Sequence, residues 1–518
     1  MKKYFALFIG LIFGAVVYAQ GETDFLKYSQ YQLSGTAHYM GMAGALNSLG
    51  GDISAISQNP AGIAVYQRSE LSTTLGLNFI QTKTKQVGNP YTDDLTKPSF
   101  NNIGYIGTTS VQNSGSGIMN LNFGFAYNRL KSFDRDYRSV GPIKNGAYSL
   151  TDYIADKTSY DINPSVYPDE MEFASGYNPY YSGIPWLSTL AYNGYLIDPS
   201  GDNSTIYNSG FASEPMNKTD LIVSERGHID TYDFTFGLNA SDMVYAGITL
   251  GVTDLNYSYT SSYSEYFSND GYELYNSLIT KGAGVNVKLG VILRPAYFWR
   301  IGLAYHSPTL YNLTDYFYGE VNNFNQAYSD ANTPDDAADY QIQTPQRLLL
   351  GTALIGEKGV LSFDYEYTDY STGKIRDADG SSIFYSSDND NIKRHMTGSH
   401  TIKLGGEYRM TSNLSARAGY ALITSPFSAE VRNGNAEIYT VGTIPHYTVD
   451  KKNNYYTLGL GYRTGNISLD FAYVMNQKQE DLYAFSPVFD NGREIMSPTV
   501  STLDTNKSSI LMSFGIRF

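Results

Sequence analysis

Residues Met119–Tyr127 read MNLNFGFAY. Met119, Leu121, Phe123, Phe125 and Tyr127 share one phase; Asn120, Asn122, Gly124 and Ala126 share the other. Such alternation is the period of a β-strand between two different environments. Every large residue here lies on one side, and the other side is small or polar. The same rule recurs in Leu71–Phe79, Tyr232–Leu238, Val285–Val291, Ile301–Tyr305, Phe363–Tyr367, Ile402–Tyr408, Leu458–Tyr462 and Ile467–Tyr473. Segments of about ten residues repeated in this way are the signature of a transmembrane barrel, apolar outside and polar within.

The connections give the strand count. Short links such as Ala240–Asp242, Gly356–Gly359 and Thr464–Asn466 alternate with long ones such as Gln81–Ser99, Phe133–His228 and Thr424–Asn453. Tight turns on one side and long loops on the other are the habit of outer-membrane barrels. The alternation predicts an all-β membrane protein, a fourteen-stranded antiparallel barrel over 69–518, with both ends on the periplasmic side. Its first strand is Ser69–Ile80, its third Ile118–Ser132, its fourth Ile229–Asn239, its eighth Gln341–Ile355 and its last Lys507–Phe518. The last strand carries Ile510, Met512, Phe514, Ile516 and Phe518 on one face. Ending in an aromatic residue, it resembles the signal read by the barrel-assembly machinery, which makes that machinery an expected partner.

Composition agrees. The 518 residues are 42% hydrophobic and only 17% charged, with 48 Tyr and 49 Gly, a balance that favours many short strands over helices. The net charge of −14 argues against a nucleic-acid partner. No cysteine is present, so disulfides, thiolate metal sites and a lipidated anchor are excluded. At the start, Lys2 and Lys3 precede an apolar run, Tyr4–Val17, and then Val17-Tyr18-Ala19. This is a signal peptide over 1–20, and it implies an exported chain.

Between signal and barrel lies Gly35–Tyr66, GTAHYMGMAGALNSLGGDISAISQNPAGIAVY. Small residues and low charge suit a segment folded inside a crowded lumen, so 21–68 is expected to be a hatch. Gly35, Gly41 and Gly44 permit tight folding. Asp52 is placed to cap a short helix over Ile53–Gln58, Pro60 to stop it, and Asn59-Pro60-Ala61-Gly62 to turn the chain into the first strand.

Lys288, Arg300, His306, Asp364, Glu366, Lys403, Glu407, Arg409, Arg417, Arg463, Asp470 and Arg517 fall in the inward phase. Mutual pairing across the lumen is the preferred explanation, with a track for an ionic solute as the alternative. The largest loop, 133–228, carries Tyr181, Trp186 and Leu187 in a polar stretch. They form either an external capture site for an apolar molecule or a small satellite core. The six histidines show no paired spacing, and the Asp377–Gly380 and Asp388–Asp390 runs lack the other ligands of a calcium loop, so no metal is expected. No nucleophile elbow or phosphate-binding loop is present; no catalytic residue or cofactor is assigned. A barrel hydrolase is a remaining alternative, because triad partners need not be near in sequence, but no residue selects one and no enzyme is expected.

Gly35–Tyr66 with its Asn59–Gly62 ending resembles the hatch of the FadL-type outer-membrane transporters of long-chain fatty acids and aromatic hydrocarbons. Asn122–Arg129 (NFGFAYNR) and Leu289–Tyr305 (LGVILRPAYFWRIGLAY) also resemble that family's barrel. The resemblance implies a fourteen-stranded barrel and passive transport of a hydrophobic small molecule. The ligand would be captured outside and released sideways into outer-membrane lipid through a kink in the third strand. Here Asn122, Gly124 and Ala126 would line that exit, with Gly124 either forming the kink or making room for the plug. A surface receptor or adhesin using the long Tyr-rich loops, without transport, is the competing function.

Overall fold

The computed structural model describes residues 21–518 except 89, 112–116, 143–146, 213, 326 and 441. The signal peptide lies outside the described residues. Fourteen antiparallel strands close into a barrel. They are β1 (Glu70–Lys85), β2 (Tyr91–Ser110), β3 (Ile118–Ser132), β4 (Met216–Ala240), β5 (Val244–Phe267), β6 (Gly271–Ala296) and β7 (Trp299–His306), followed by β8 (Arg347–Ile355), β9 (Gly359–Asp369), β10 (Gly398–Arg409), β11 (Leu414–Thr424), β12 (Tyr447–Thr464), β13 (Ile467–Tyr483) and β14 (Ser501–Arg517). β14 pairs with β1 from Glu70↔Arg517 to Lys85↔Thr502, so the sheet leaves no edge across the membrane. Among the described residues no helix is long and apolar enough to cross a membrane.

The outward phase is apolar all round. Phe123, Phe234, Leu458 and Ile510 are each about half exposed, at 54%, 52%, 61% and 51%. Rings gather at both ends of this band. Tyr127 lies 5.6 Å from Tyr232 and Tyr420 5.3 Å from Tyr456 at one end, while Tyr105 stacks on Phe518 at the other. An apolar belt between aromatic girdles is what lipid and its two interfaces demand.

Several strands outgrow the membrane. β6 has 26 residues, about 85 Å of chain at the usual strand rise, where a crossing needs about ten. The expected fourth strand, Ile229–Asn239, is only the membrane part of β4. The expected 133–228 loop is therefore largely structured. Arg135–Pro142 pairs with β4 from Glu225 to Lys218, and two helices, Leu150–Tyr160 and Trp186–Asn193, pack above. The expected eighth strand is split in two, Asp336–Gln343 and β8, because Pro345 between them has no N–H to give to a ladder. These outer elements enclose a core that includes Phe25, Tyr28, Phe133, Tyr180, Trp186 and Tyr257.

Candidate functional site

The N-terminal segment threads the barrel from the outer core downward. A first helix, Glu22–Ser29, lies high. Glu22 Oε2 is 2.7 Å from His395 Nδ1, Tyr28 Oη is 2.7 Å from Thr280 Oγ1, and Gln30 Nε2 donates to Asp450 at 2.8 Å. Below it, a helical turn at Ala37–Gly41 starts at Thr36, whose hydroxyl accepts from Tyr39 N and donates to Asp52. Asp52 also accepts from Ser54 N at 2.8 Å and meets His38 Nδ1 at 2.9 Å. It thus ties both halves of the hatch together as well as capping a turn. The helix expected over Ile53–Gln58 is a single 3-10 turn, Ala55–Ser57. Pro60 opens a second one, Pro60–Val65, because the first helical position needs no N–H; Asn59 Oδ1 caps it through Ala61 N.

The hatch rests on a belt of inward-facing wall glycines. A Cβ built at Gly124 would meet Ile63 at 2.6 Å, at Gly302 Ser48 Cα at 2.7 Å, at Gly419 the Met42 carbonyl carbon at 2.6 Å, and at Gly459 Gly41 Cα at 3.1 Å. Side chains lock the same contact. Asn122 Nδ2 donates to Ile63 O and Tyr66 O at 2.9 Å each, and Asn120 Nδ2 to Tyr66 O at 3.0 Å. Gly35 and Gly44 adopt positive φ or crowd Tyr39, and Gly62 packs on Gly50. Part of the inward charges pair: Lys288 with Asp233, Arg347 and Lys403 with Glu366, Arg417 with Glu407 and Asp470, Arg517 with Glu70. Arg300 and Asp364 instead bond hatch backbone at Leu49 O and Asn47 N, and His306 meets Gln58 O. Arg463 forms no ion pair among the described residues, and Arg409 is exposed.

A cavity of about 190 Å³ lies above the hatch. The first helix forms one wall with Leu26, Lys27 and Gln30; Phe133, Tyr259, His446 and Lys478 belong to the others. Arg135 bridges Glu225 and Glu480, and Lys478 pairs with Asp450 and Glu480. Two cations are left over. Lys131 donates to Lys27 O at 2.6 Å, and neither it nor Lys507 forms an ion pair among the described residues. His446 meets the Tyr259 hydroxyl through Nε2, while its Nδ1 has no partner among the described residues. Burial, reinforced by Lys27, pushes the His446 imidazole down to about 3.

Beside the cavity the wall divides. β2 and β3 pair from Ser110↔Asn120 up to Asn102↔Asn128 and no further. Above that point β2 stays with β1 as far as Tyr91, and β3 stays with β4 as far as Ser132. Each strand carries an extra residue where they part, Asn101 in β2 and Leu130 in β3, and such bulges bend a strand away from its neighbour. A smaller cavity, about 40 Å³, lies in the lumen between the hatch residues Leu33 and Met40 and the wall. Ser99, Asn101 and Arg129 line it on the β2–β3 side and Asn78, Tyr455 and Leu511 on the other; Lys131, Ser132 and Lys507 line both cavities. The N-terminal segment closes the cleft from inside: Gln32 N donates to Leu130 O at 2.9 Å and Gln32 Nε2 to Ser132 O at 3.1 Å.

No family model matches the sequence, and no curated protein matches it. In fold it is similar to a solved FadL homologue from Pseudomonas aeruginosa, with 14% identity and a TM-score of 0.51 over 94% of this chain and 99% of that one. The chain has the FadL-type fold. The Pseudomonas putida toluene transporter TodX aligns at 11% identity and a TM-score of 0.49, over 94% of this chain and 99% of that one. The Ralstonia pickettii toluene transporter TbuX aligns at 12% and 0.47, with the same coverage. With its apolar outer belt, this FadL-type barrel is a multi-pass protein of the outer membrane.

Asn122, Gly124 and Ala126 do not line an opening in this FadL-type barrel. All three face the hatch, and β3 pairs without a break on both sides of Gly124. Gly124 is small because Ile63 abuts it; the irregularities of β3 lie toward its two ends, at Met119 and Leu130. In the outer core, Trp186 is 3% exposed, donates from Nε1 to Tyr180 O at 2.8 Å and packs 4.9 Å from Phe317. Leu187 packs against the same core and only Tyr181 stands open. The residues that converge on the cavity, Lys131, Lys507, Gln32 and His446, escaped sequence reasoning. The one local trace was that Lys131 and Lys507 sit near the outer ends of β3 and β14 with no acid at the neighbouring in-phase positions.

Proposed function

We propose that the chain is a passive channel that delivers small hydrophobic molecules across the outer membrane and releases them sideways into lipid between β2 and β3. Long-chain fatty acids fit better than aromatic hydrocarbons. The observation that carries this reading is that the cavity above the seated hatch and the smaller one beside it share Lys131, Ser132 and Lys507, next to the point where β2 and β3 stop pairing. The hatch, held by wall glycines and Asn122, leaves an apolar solute no reason to travel down the polar lumen, where its tail would stay in water. The cleft offers a short step to the bilayer. Lys131 and Lys507, which form no ion pair among the described residues, line both cavities and suit a carboxylate head, while Phe133 and Leu26 suit its tail. The closing strand with Phe518 is assigned to recognition by the barrel-assembly machinery.

The test is to fill the cleft. Ser99→Trp places an indole in the 40 Å³ space. Uptake of labelled oleate by cells relying on this barrel is expected to fall several-fold, while ligand binding to the purified protein persists. Unchanged uptake in that variant would refute sideways exit by this route.

A further inference from the structure

A groove of about 390 Å³ opens on the outer surface between the Trp186–Asn193 helix and the segment at 330–334, away from the cavity above the hatch. Its floor is one aromatic ring. Phe173 is 58% exposed, yet it is not loose: Ala174 and Tyr177 exchange backbone hydrogen bonds at 3.3 and 3.0 Å beside it, and buried Tyr180 backs its ring at 6.0 Å.

Four polar side chains share the lining of the groove with Phe173, each held by one half and open at the other. Asn178 Oδ1 accepts from Tyr180 N, which leaves its NH₂ without a partner among the described residues. Asn193 Nδ2 donates to Met171 O and Thr189 O, leaving its carbonyl oxygen. Asp330 Oδ1 accepts from Asn323 N, leaving Oδ2, and Asn332 Nδ2 donates to Thr333 O, leaving Oδ1. The open set is three acceptors and one donor in the lining of a groove that also holds an exposed ring. No lysine or arginine lines the groove.

We propose that this groove binds a neutral oligosaccharide. A pyranose presents an edge of hydroxyls, rich in donors, and a face of C–H bonds whose partial positive charge suits the electron-rich face of phenylalanine. A purely apolar ligand would leave the four polar groups unpaired, at a cost. An anionic ligand would meet Asp330 and no cation. A divalent cation would find one carboxylate only, too little charge and too few ligands. The saccharide has two possible sources, the O-chain of lipopolysaccharide or a free glycan, and the chemistry of the groove is the same for both.

The experiment uses the full-length barrel in lauryldimethylamine oxide, a detergent without a sugar head. Maltoheptaose, cellohexaose, chitohexaose and O-chain freed from lipopolysaccharide by mild acid are titrated by calorimetry and saturation-transfer NMR. At least one is expected to bind saturably, with aromatic saturation reporting the ring contact. Phe173→Leu, which keeps apolar bulk and loses the ring, and Asp330→Ala are each expected to weaken binding by about ten-fold or more, and Phe173→Tyr to retain it. Binding of O-chain alone assigns the lipopolysaccharide source; binding of a defined oligosaccharide alone assigns the free one. Heat-modified gel mobility verifies that each variant is folded. The proposal is overturned if no probe binds, if Phe173→Leu binds as the wild type does, or if Ca²⁺ alone binds in an Asp330-dependent manner. Oleate uptake by Phe173→Leu should be unchanged, so this result and the transport result fail separately.

Discussion

On the proposed function, Lys131 and Lys507 set the chemical preference of the cavity. Each lines it without forming an ion pair among the described residues. A charge-assisted hydrogen bond is worth about 1.5–3 kcal/mol, so Lys507→Met is expected to weaken oleate binding by roughly ten-fold or more. Methyl oleate, lacking the carboxylate, should bind both proteins equally, and fluorescence displacement in detergent reads the comparison. His446 acts differently. At neutral pH it is uncharged, so it offers the cavity a hydrogen bond and no charge. Its unfolded value is near 6.5 and its folded value about 3, so unfolding takes up a proton below pH 6.5. Its contribution to stability is complete above pH 6.5 and is lost as pH falls toward 3. The melting temperature of the wild type should drop across that window, and His446→Gln, which keeps a hydrogen-bonding group that does not titrate, should flatten the slope.

At the scale of elements, the fit between hatch and wall rests on absent side chains. Gly302 has hatch backbone where a Cβ would stand, whereas Gly406 meets nothing nearer than 3.7 Å. Gly302→Val should therefore cost about 1–3 kcal/mol of strain and lift the hatch, and Gly406→Ala should do neither. Single-channel recording distinguishes the two: steady ion conductance is expected for the first variant and none for the second. The closing strand carries a separate expectation. Phe518 N donates to Ser69 O and its ring stacks on Tyr105 across the seam. Removing Phe518 should lower the amount of assembled barrel in outer-membrane fractions, with the deficit appearing before folding is complete.

For the whole molecule, sideways release and an immobile hatch belong together. Ala37 N donates to Ser513 Oγ at 2.7 Å, so a hatch-to-wall disulfide can be sought there in a chain that has no cysteine of its own. Ala37→Cys with Ser513→Cys, oxidised, is expected to take up oleate at the wild-type rate. A loss of uptake restored by reductant would mean that the hatch must move. The outer core is the other large-scale feature. It converts most of the 133–228 stretch from a free loop into a cap, and it fixes the first helix over the cavity through Tyr28, Phe25 and Glu22.

The sequence by itself determined the barrel, its fourteen strands, its apolar outside and the placing of a small-residue plug before the first strand. These are local properties: alternation has period two, lipid accepts only apolar side chains, and a turn needs its turn residues within a few positions. Paired lumen charges were legible for the same reason, since phase alone turned them inward. Only the tertiary structure decided where the wall opens and what lines the cavity. The β2–β3 cleft depends on where two ladders stop pairing, which the bulges at Asn101 and Leu130 set without altering composition. Lys131 and Lys507 meet because β3 and β14 are close in the ring although distant in the chain. Gly124 shows the limit in one residue: its inward phase was readable at once, but its role depended on Ile63, a contact that no local pattern encodes.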